Sequence, residues 1–126
     1  MFRSSLQIFA LVCLEAWLAG TALPAWAANL TVEQAQKQLY EVIERDALYA
    51  SRLKPHCFEI QAEAWHRDYF NFVVRELHSR DCPGDLATSP ALDHFRVYRD
   101  NGNMLWFDPV KREYASYNPD LKKRKP

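Results

Sequence analysis

Histidine and carboxylate side chains are the residues of this sequence that could carry out acid–base or metal chemistry. Four histidines occur among its 126 residues, with several acidic residues near them in the sequence. No pair has the spacing of a zinc or catalytic motif, and no serine lies in a nucleophile motif. We therefore predict no catalytic residue, no metal and no cofactor. The alternative is a small hydrolase or metal-dependent enzyme that would draw on His56, His66, His78 and His94 with Glu59, Glu63 or Asp85.

Aromatic side chains give the stronger indication of function. They make up 13% of the chain, and Tyr, Trp and Arg are the residues enriched at binding hot spots. A protein- or glycan-binding surface would explain them, and so would cross-strand packing that stiffens a small sheet. We expect six of them on the sheet faces that point away from the covering helix, and the binding interpretation selects the first four: Trp65, Tyr69, Tyr98, Trp106, Tyr114 and Tyr117.

The loop from residue 78 to residue 93 contains two further binding candidates, Asp85 and Thr88. Side chains of these types can satisfy neighbouring backbone amides in a turn. They could equally form the rim of a binding site, because binding residues are concentrated in loops. Both interpretations are open, and the binding interpretation adds Asp85 and Thr88 to the aromatic set.

The first 27 residues have the pattern of a secretory signal peptide. Arg3 precedes an apolar run that ends in Ala25-Trp26-Ala27. This pattern predicts cleavage between Ala27 and Ala28 and a periplasmic or secreted protein. A membrane anchor is the alternative, but Glu15 interrupts the apolar run and a carboxylate in mid-bilayer is costly. We therefore predict no stable membrane span.

Cys57 and Cys82 are the two cysteines that remain after this cleavage. Two cysteines in a protein of an oxidising compartment predict one disulfide. Closing a loop of about 26 residues would contribute on the order of 3 kcal/mol in the chain-entropy model. The alternative is a redox or metal-binding pair, but the chain has no Cys-x-x-Cys motif.

Charge and length exclude further classes of protein. The formal net charge is zero, whereas nucleic-acid binding needs clustered positive charge. Residues 28–120 hold 11 basic and 15 acidic side chains and form a single predicted domain. Residues 121–126 form a basic tail that we predict to be disordered.

A helix is predicted at the start of the mature chain. The segment Thr31-Val32-Glu33-Gln34 is a capping box, in which the Thr31 side chain accepts from the Gln34 amide and the Gln34 side chain reaches back. Apolar residues then recur three and four positions apart, which predicts an amphipathic helix to about Ala50. Its apolar stripe should cover a sheet.

From Cys57 onwards the apolar period is two, which is typical of strands. Segments 57–65 and 69–75 predict a β-hairpin whose open end the disulfide would close. Segments 94–99 and 104–107 flank Asn101-Gly102, a dipeptide suited to a type I′ turn. Segment 114–117 is a candidate for a short edge strand. The predicted fold is α+β, with one N-terminal amphipathic helix on an antiparallel sheet of about four strands.

A series of motifs runs from about residue 70 to residue 107: Phe72-Val73-Val74-Arg75-Glu76, then Cys82-Pro83-Gly84-Asp85-Leu86-Ala87-Thr88-Ser89-Pro90, Phe95-Arg96-Val97, Gly102 and Trp106. The series resembles a pattern in uncharacterised small exported bacterial proteins, which carry a Cys-Gly-Gly-Asp-Pro-x-Thr-x-Pro loop, then Phe-x-Val and a glycine turn. This chain has Pro83 and Leu86 where the pattern has Gly and Pro. The resemblance implies export and fold but no activity.

The helix-plus-sheet order also resembles cystatin-like and PepSY-like modules in topology, and such a likeness carries no function. Taken with export and the aromatic surplus, the sequence predicts a non-catalytic binding or inhibitor-type protein that uses an aromatic-rich sheet face. The expected partner is an envelope protein or a cell-wall component. Nucleic acid is not expected as a partner.

Overall fold

The computed structural model describes residues 29–120, so the predicted signal peptide (residues 1–27) and the predicted basic tail (residues 121–126) lie outside the described residues. One helix precedes a single antiparallel sheet whose strands lie in sequence order. The α+β prediction is confirmed, with five strands rather than about four because the candidate edge strand pairs with its neighbour. The elements are α1 (Val32–Arg45), β1 (Phe58–Trp65), β2 (Tyr69–Glu76), β3 (Ala91–Tyr98), β4 (Met104–Asp108) and β5 (Glu113–Ser116).

Helix α1 begins with the predicted capping box. The Gln34 amide donates to the Thr31 hydroxyl, and the Thr31 amide donates to the Gln34 side chain. These two bonds satisfy backbone donors that the first turn of a helix leaves free. The helix is 14 residues long. Within residues 29–120, no helix has the length and apolar character that crossing a membrane requires.

The helix ends at Arg45, not at about Ala50 as predicted. Ala47 has a φ of 49°, and its amide donates to the Glu44 carbonyl while the Leu48 amide donates to the Ile43 carbonyl. These are the paired bonds of a Schellman motif, which stops a helix. Glycine usually occupies the left-handed position. Because alanine occupies it here, the sequence carries no stop signal before Pro55.

The buried stripe of α1 packs on β1 and β2. Ala35, Leu39 and Ile43 are buried against core residues from four of the strands. Two side-chain amides also join the helix to the sheet: Gln36 donates to the Ile60 carbonyl, and Gln38 donates to a carbonyl in the β3–β4 turn, each at 3.0 Å. The sheet residues of this core are Phe58, Ile60, Phe70, Phe72, Val74, Phe95, Val97 and Trp106.

The predicted hairpin of β1 and β2 is present, and Cys57 lies at its open end. The Leu77 amide donates to the Cys57 carbonyl, and Phe58 lies opposite Glu76. The predicted disulfide is present between Cys57 and Cys82, whose Cα atoms are 5.4 Å apart. The bond ties the start of β1 to the loop that follows β2.

The β3–β4 turn differs from the predicted type I′ turn, which needs a positive φ at both central residues. Only Gly102 has one, at 69°, and Asn101 does not. The Gly102 amide donates to the Tyr98 carbonyl, and the Tyr98 amide donates to the Asn103 carbonyl, so four residues lie between the last paired positions. The Gln38 contact with this turn helps to hold the longer loop against α1.

A carboxylate on β3 connects three parts of the chain on the helix side of the sheet. The Tyr49 hydroxyl donates to Asp93 Oδ2 at 2.8 Å, and Trp106 Nε1 donates to Asp93 Oδ1 at 2.9 Å. Tyr49 belongs to the turns after α1, and Trp106 lies on β4. Burial, followed by the nearby Asp93 charge, raises the pKa of the Tyr49 hydroxyl, which therefore stays protonated and able to donate.

The disulfide generates the first prediction. Replacing Cys57 and Cys82 together by Ala should lower the free energy of unfolding by about 3 kcal/mol, because the unfolded chain loses its cross-link. Urea denaturation of the variant and the parent measures the difference. Reductant applied to the parent should give a similar loss. Two titratable thiols in protein that is denatured without reductant would contradict the disulfide.

Candidate functional site

The structure divides the predicted aromatic residues between the two faces of the sheet. Trp106 pairs with Phe95 and is only 6% exposed on the helix side. Tyr117 packs against the same core, and its hydroxyl donates to Asp46. The expectation that Trp106 and Tyr117 point away from the helix is wrong. Period-two spacing groups residues by face, but the strand register decides which face a group takes.

Trp65 also departs from its expected face. The β1–β2 register shifts between Ala62 and Ala64, so the end of β1 turns over and Trp65 pairs with the core residue Phe70. A bulge of this kind places an extra residue in one strand and exchanges the two faces beyond it. The Trp65 ring meets Phe70 edge-on at 6.4 Å, yet Trp65 is 71% exposed at the strand end.

We call the sheet surface opposite α1 the open face. Its residues alternate along the strands with the core residues. Tyr69 lies directly opposite Tyr98, so two of the four predicted aromatic binding residues meet on this face, with their ring centroids 5.7 Å apart. The open face consists of Tyr69, Asn71 and Val73 on β2, His94, Arg96 and Tyr98 on β3, Leu105 and Phe107 on β4, and Tyr114 on β5.

An arginine lies at the centre of the open face between two tyrosine rings. The Arg96 guanidinium carbon is 4.0 Å from the Tyr69 ring centroid and 4.1 Å from that of Tyr114. The His66 ring lies 4.3 Å from Tyr69. We call the series His66, Tyr69, Arg96 and Tyr114 the Arg96 stack. It runs from the β1–β2 turn to β5 and joins residues that are distant in sequence.

The Arg96 stack is fixed by a hydrogen bond and by burial. Arg96 Nε donates to Asn71 Oδ1 at 3.1 Å, which sets the plane of the guanidinium. Partial burial raises the pKa of the Tyr114 hydroxyl, an effect that the Arg96 charge opposes. Tyr114 therefore remains a neutral donor at neutral pH. Cation–π contacts of this kind stabilise by about 0.5–2 kcal/mol each, depending on desolvation.

Arg96 is not among the binding residues predicted from the sequence. Its alternation with Phe95 and Val97 places Arg96 on one face with Tyr98. The stacking partners Tyr69 and Tyr114 come from other strands and depend on the sheet register.

The histidines considered for an enzyme each have a different partner. His94 Nδ1 is 2.9 Å from Glu63 Oε2, and its ring meets Phe107 on the open face. His56 bonds to the Tyr40 hydroxyl, and His78 lies in the disulfide loop. Residues 29–120 contain no group of three His, Cys, Asp or Glu side chains that could hold a metal ion.

Asp85 and Thr88 are used within the disulfide loop. Asp85 Oδ1 accepts from the Ala87 amide, and the Thr88 amide and hydroxyl both donate to the Asp85 carbonyl. The His78 ring supports this turn: Nδ1 is 2.8 Å from the Asp85 carbonyl oxygen, and Nε2 is 3.0 Å from Glu76 Oε2. The loop follows the end of β2, whereas Tyr69 begins that strand. The structure therefore does not join the loop candidates to the aromatic ones.

Two concave regions lie beside the helix. One is a groove between α1 and the outer edge of β1, lined by residues that include Lys37, Tyr40 and Glu59. The other is a cavity of about 150 Å³ after α1, lined by residues that include Leu48 and Leu53. Neither is lined by a histidine.

Comparison of the chain with protein-family models, curated proteins and solved structures finds no match. The resemblance to small exported bacterial proteins stays a prediction.

The two tryptophans generate a paired prediction. Trp106→Ala should lower the free energy of unfolding by roughly 3–5 kcal/mol, because it leaves a cavity and removes a donor to Asp93. Trp65→Ala is the matched control and should change it by about 0.5 kcal/mol or less, because the side chain is largely exposed. Urea denaturation measures both. Equal losses would contradict the assignment of Trp106 to the core.

The contacts of His78 predict how the free energy of unfolding depends on pH. The hydrogen bond to Glu76, and then the one to the Asp85 carbonyl, raise the pKa of His78 above its ordinary value of 6.5. A raised folded-state pKa stabilises fully below the unfolded pKa, and this stabilisation is lost as pH rises through the folded value. We expect the free energy of unfolding to fall as pH increases from about 6.5. Denaturation at several pH values should show this slope in the parent and a flatter one in His78→Asn. An unchanged slope in the variant would assign it to another group.

Proposed function

We propose that this protein is an exported, non-catalytic binding or inhibitor-type protein whose open face recognises a partner in the cell envelope. The observation that carries the proposal is the Arg96 stack. It holds an arginine and two tyrosines, the residue types enriched at hot spots, in one arrangement on the sheet face opposite α1.

Preorganisation favours binding over a purely structural role for the stack. A free arginine or tyrosine side chain loses rotamer freedom when a partner immobilises it, at about 0.5–1.5 kcal/mol each. On the open face the Arg96 plane is already fixed by Asn71 and the two tyrosine rings. A partner that contacts these side chains therefore has little more ordering to impose.

Export to the periplasm or the exterior, after cleavage between Ala27 and Ala28, forms part of the proposal. The signal-peptide pattern supports it, and a buried disulfide is typical of proteins that fold in an oxidising compartment. Such a location makes an envelope protein or a cell-wall component the natural partner.

A small hydrolase or metal-dependent enzyme is the alternative. The relevant observation is the His94–Glu63 pair, which lies beside the Arg96 stack. Both side chains are more than a third exposed, so the pair has little of the water exclusion that acid–base catalysis uses. This favours binding.

Tyr98 provides the test of the proposed function. Protein carrying Tyr98→Ala is immobilised beside the parent, and each is incubated with solubilised envelope proteins and with sedimented cell wall. We expect the variant to lose the captured partner, with affinity reduced at least about tenfold, as at a hot spot. Lys37→Ala is the matched control, since Lys37 is 78% exposed on the outer side of α1.

The melting temperature of both variants shows whether they are folded. Retention of the partner by folded Tyr98→Ala at parental affinity would contradict a binding role for the open face. Loss of the partner from Lys37→Ala alone would assign binding to the helix side.

A further inference from the structure

We infer that the open face binds an acidic peptide segment of a partner protein, with Arg96 as the carboxylate-binding residue, and does not bind a glycan. The inference rests on the proposed function, because it names the class of partner for the same face. Three observations carry it: the use of the tyrosine ring faces, the absence of an ion pair to Arg96 among residues 29–120, and the extended shape of the stack.

The first observation is that the ring faces of the Arg96 stack are already used. His66 and Arg96 each lie about 4 Å from the Tyr69 centroid, and two groups at that distance must take opposite faces of the ring. Tyr114 has Arg96 on one face and meets Phe107 at 5.3 Å. Stacking of a sugar on an aromatic side chain needs a free ring face, and Tyr69 has none. The groups of the stack that remain for contact with a partner are polar, namely the tyrosine hydroxyls and the Arg96 guanidinium.

The second observation is that Arg96 has no carboxylate partner among the ion pairs of residues 29–120, although Arg45 pairs with Asp46 and Arg52 with Glu76. Its hydrogen bonds to the side chains of Asn71 and Tyr114 leave other N–H donors of the guanidinium for a ligand. The planar fork of a guanidinium matches a carboxylate with two parallel hydrogen bonds. Aromatic walls exclude water and strengthen such a pair.

Glu63, the acidic residue beside the Arg96 stack, bonds to His94. A second arginine of the open face, Arg75, donates to the Ser89 carbonyl and lies opposite Glu59 in the β1–β2 register. Arg96 differs from Arg75 in lying between two tyrosine rings.

The third observation is the shape of the site. The Arg96 stack crosses the sheet from the β1–β2 turn to β5. An isolated small anion would touch only the guanidinium. An extended acidic peptide can place one carboxylate on Arg96 and bond through its backbone to the Tyr69, Tyr98 and Tyr114 hydroxyls.

The experiment uses two defined probes, hexaglutamate peptide and chitohexaose, titrated into the purified protein. The Nε–H resonance of Arg96 reports on the site by NMR. Hexaglutamate should shift this resonance, whereas chitohexaose should not. Arg96→Lys keeps the charge but loses the fork, and we expect it to weaken hexaglutamate binding at least about tenfold. Arg80→Lys, an exposed loop position, is the matched control and should leave binding unchanged.

A second variant keeps the test valid if Arg96→Lys is poorly folded. Asn71→Ala leaves Arg96 in place but removes the bond that orients it, so hexaglutamate binding should weaken by about threefold at unchanged charge. Parental affinity in folded Arg96→Lys would overturn the inference. Equal weakening in Arg96→Lys and Arg80→Lys would also overturn it, because the loss would then not depend on the position of the arginine on the open face.

Failure of the inference is distinguishable from failure of the proposed function. Binding of chitohexaose that Tyr98→Ala abolishes would overturn the peptide assignment and leave the open face as a binding surface. Capture of an envelope partner with parental affinity by both Tyr98→Ala and Arg96→Lys would overturn both.

Discussion

The helix side of this fold depends on the hydrogen bonds that the Asp93 carboxylate accepts from Tyr49 and Trp106. Helix α1 packs on β1 and β2, so the part of the sheet around β4 needs another cover. That cover comes from the turns after α1 and from large aromatic residues with polar tips. Tyr49 and Trp106 can be buried there because Asp93 accepts from both. Without that acceptor, two donors would be left in an apolar layer at a cost of about 1–3 kcal/mol each.

The two faces of the sheet differ in how they use their aromatic residues. On the helix side, Tyr49 and Trp106 are buried, and Asp93 accepts from both. On the opposite face, Arg96 stacks between the rings of Tyr69 and Tyr114, and all three side chains are half-buried. The sheet register decides to which of the two faces each aromatic residue belongs.

The sequence predicts local features of the fold well. The capping box at Thr31, the change to period two at Cys57 and the disulfide each follow from residues close together or from simple pairing rules. The errors have local causes as well. Ala47 adopts a left-handed conformation typical of glycine, and the bulge after Ala62 leaves no mark in the composition of β1. The sequence predicts the candidate site less completely, because it indicates Tyr69 and Tyr98 as binding residues but not Arg96. Its stack depends on three strands whose mutual register a single sequence does not specify.

The bond from Gln36 to the Ile60 carbonyl has a consequence for how this protein behaves in a crowded compartment. Strand β1 forms one border of the sheet, and an unpaired border can recruit a strand from another molecule and start aggregation. Gln36 occupies a backbone acceptor in the middle of that border with a side chain from the protein's own helix. The contact therefore leaves one fewer backbone acceptor on this border for a strand of another molecule.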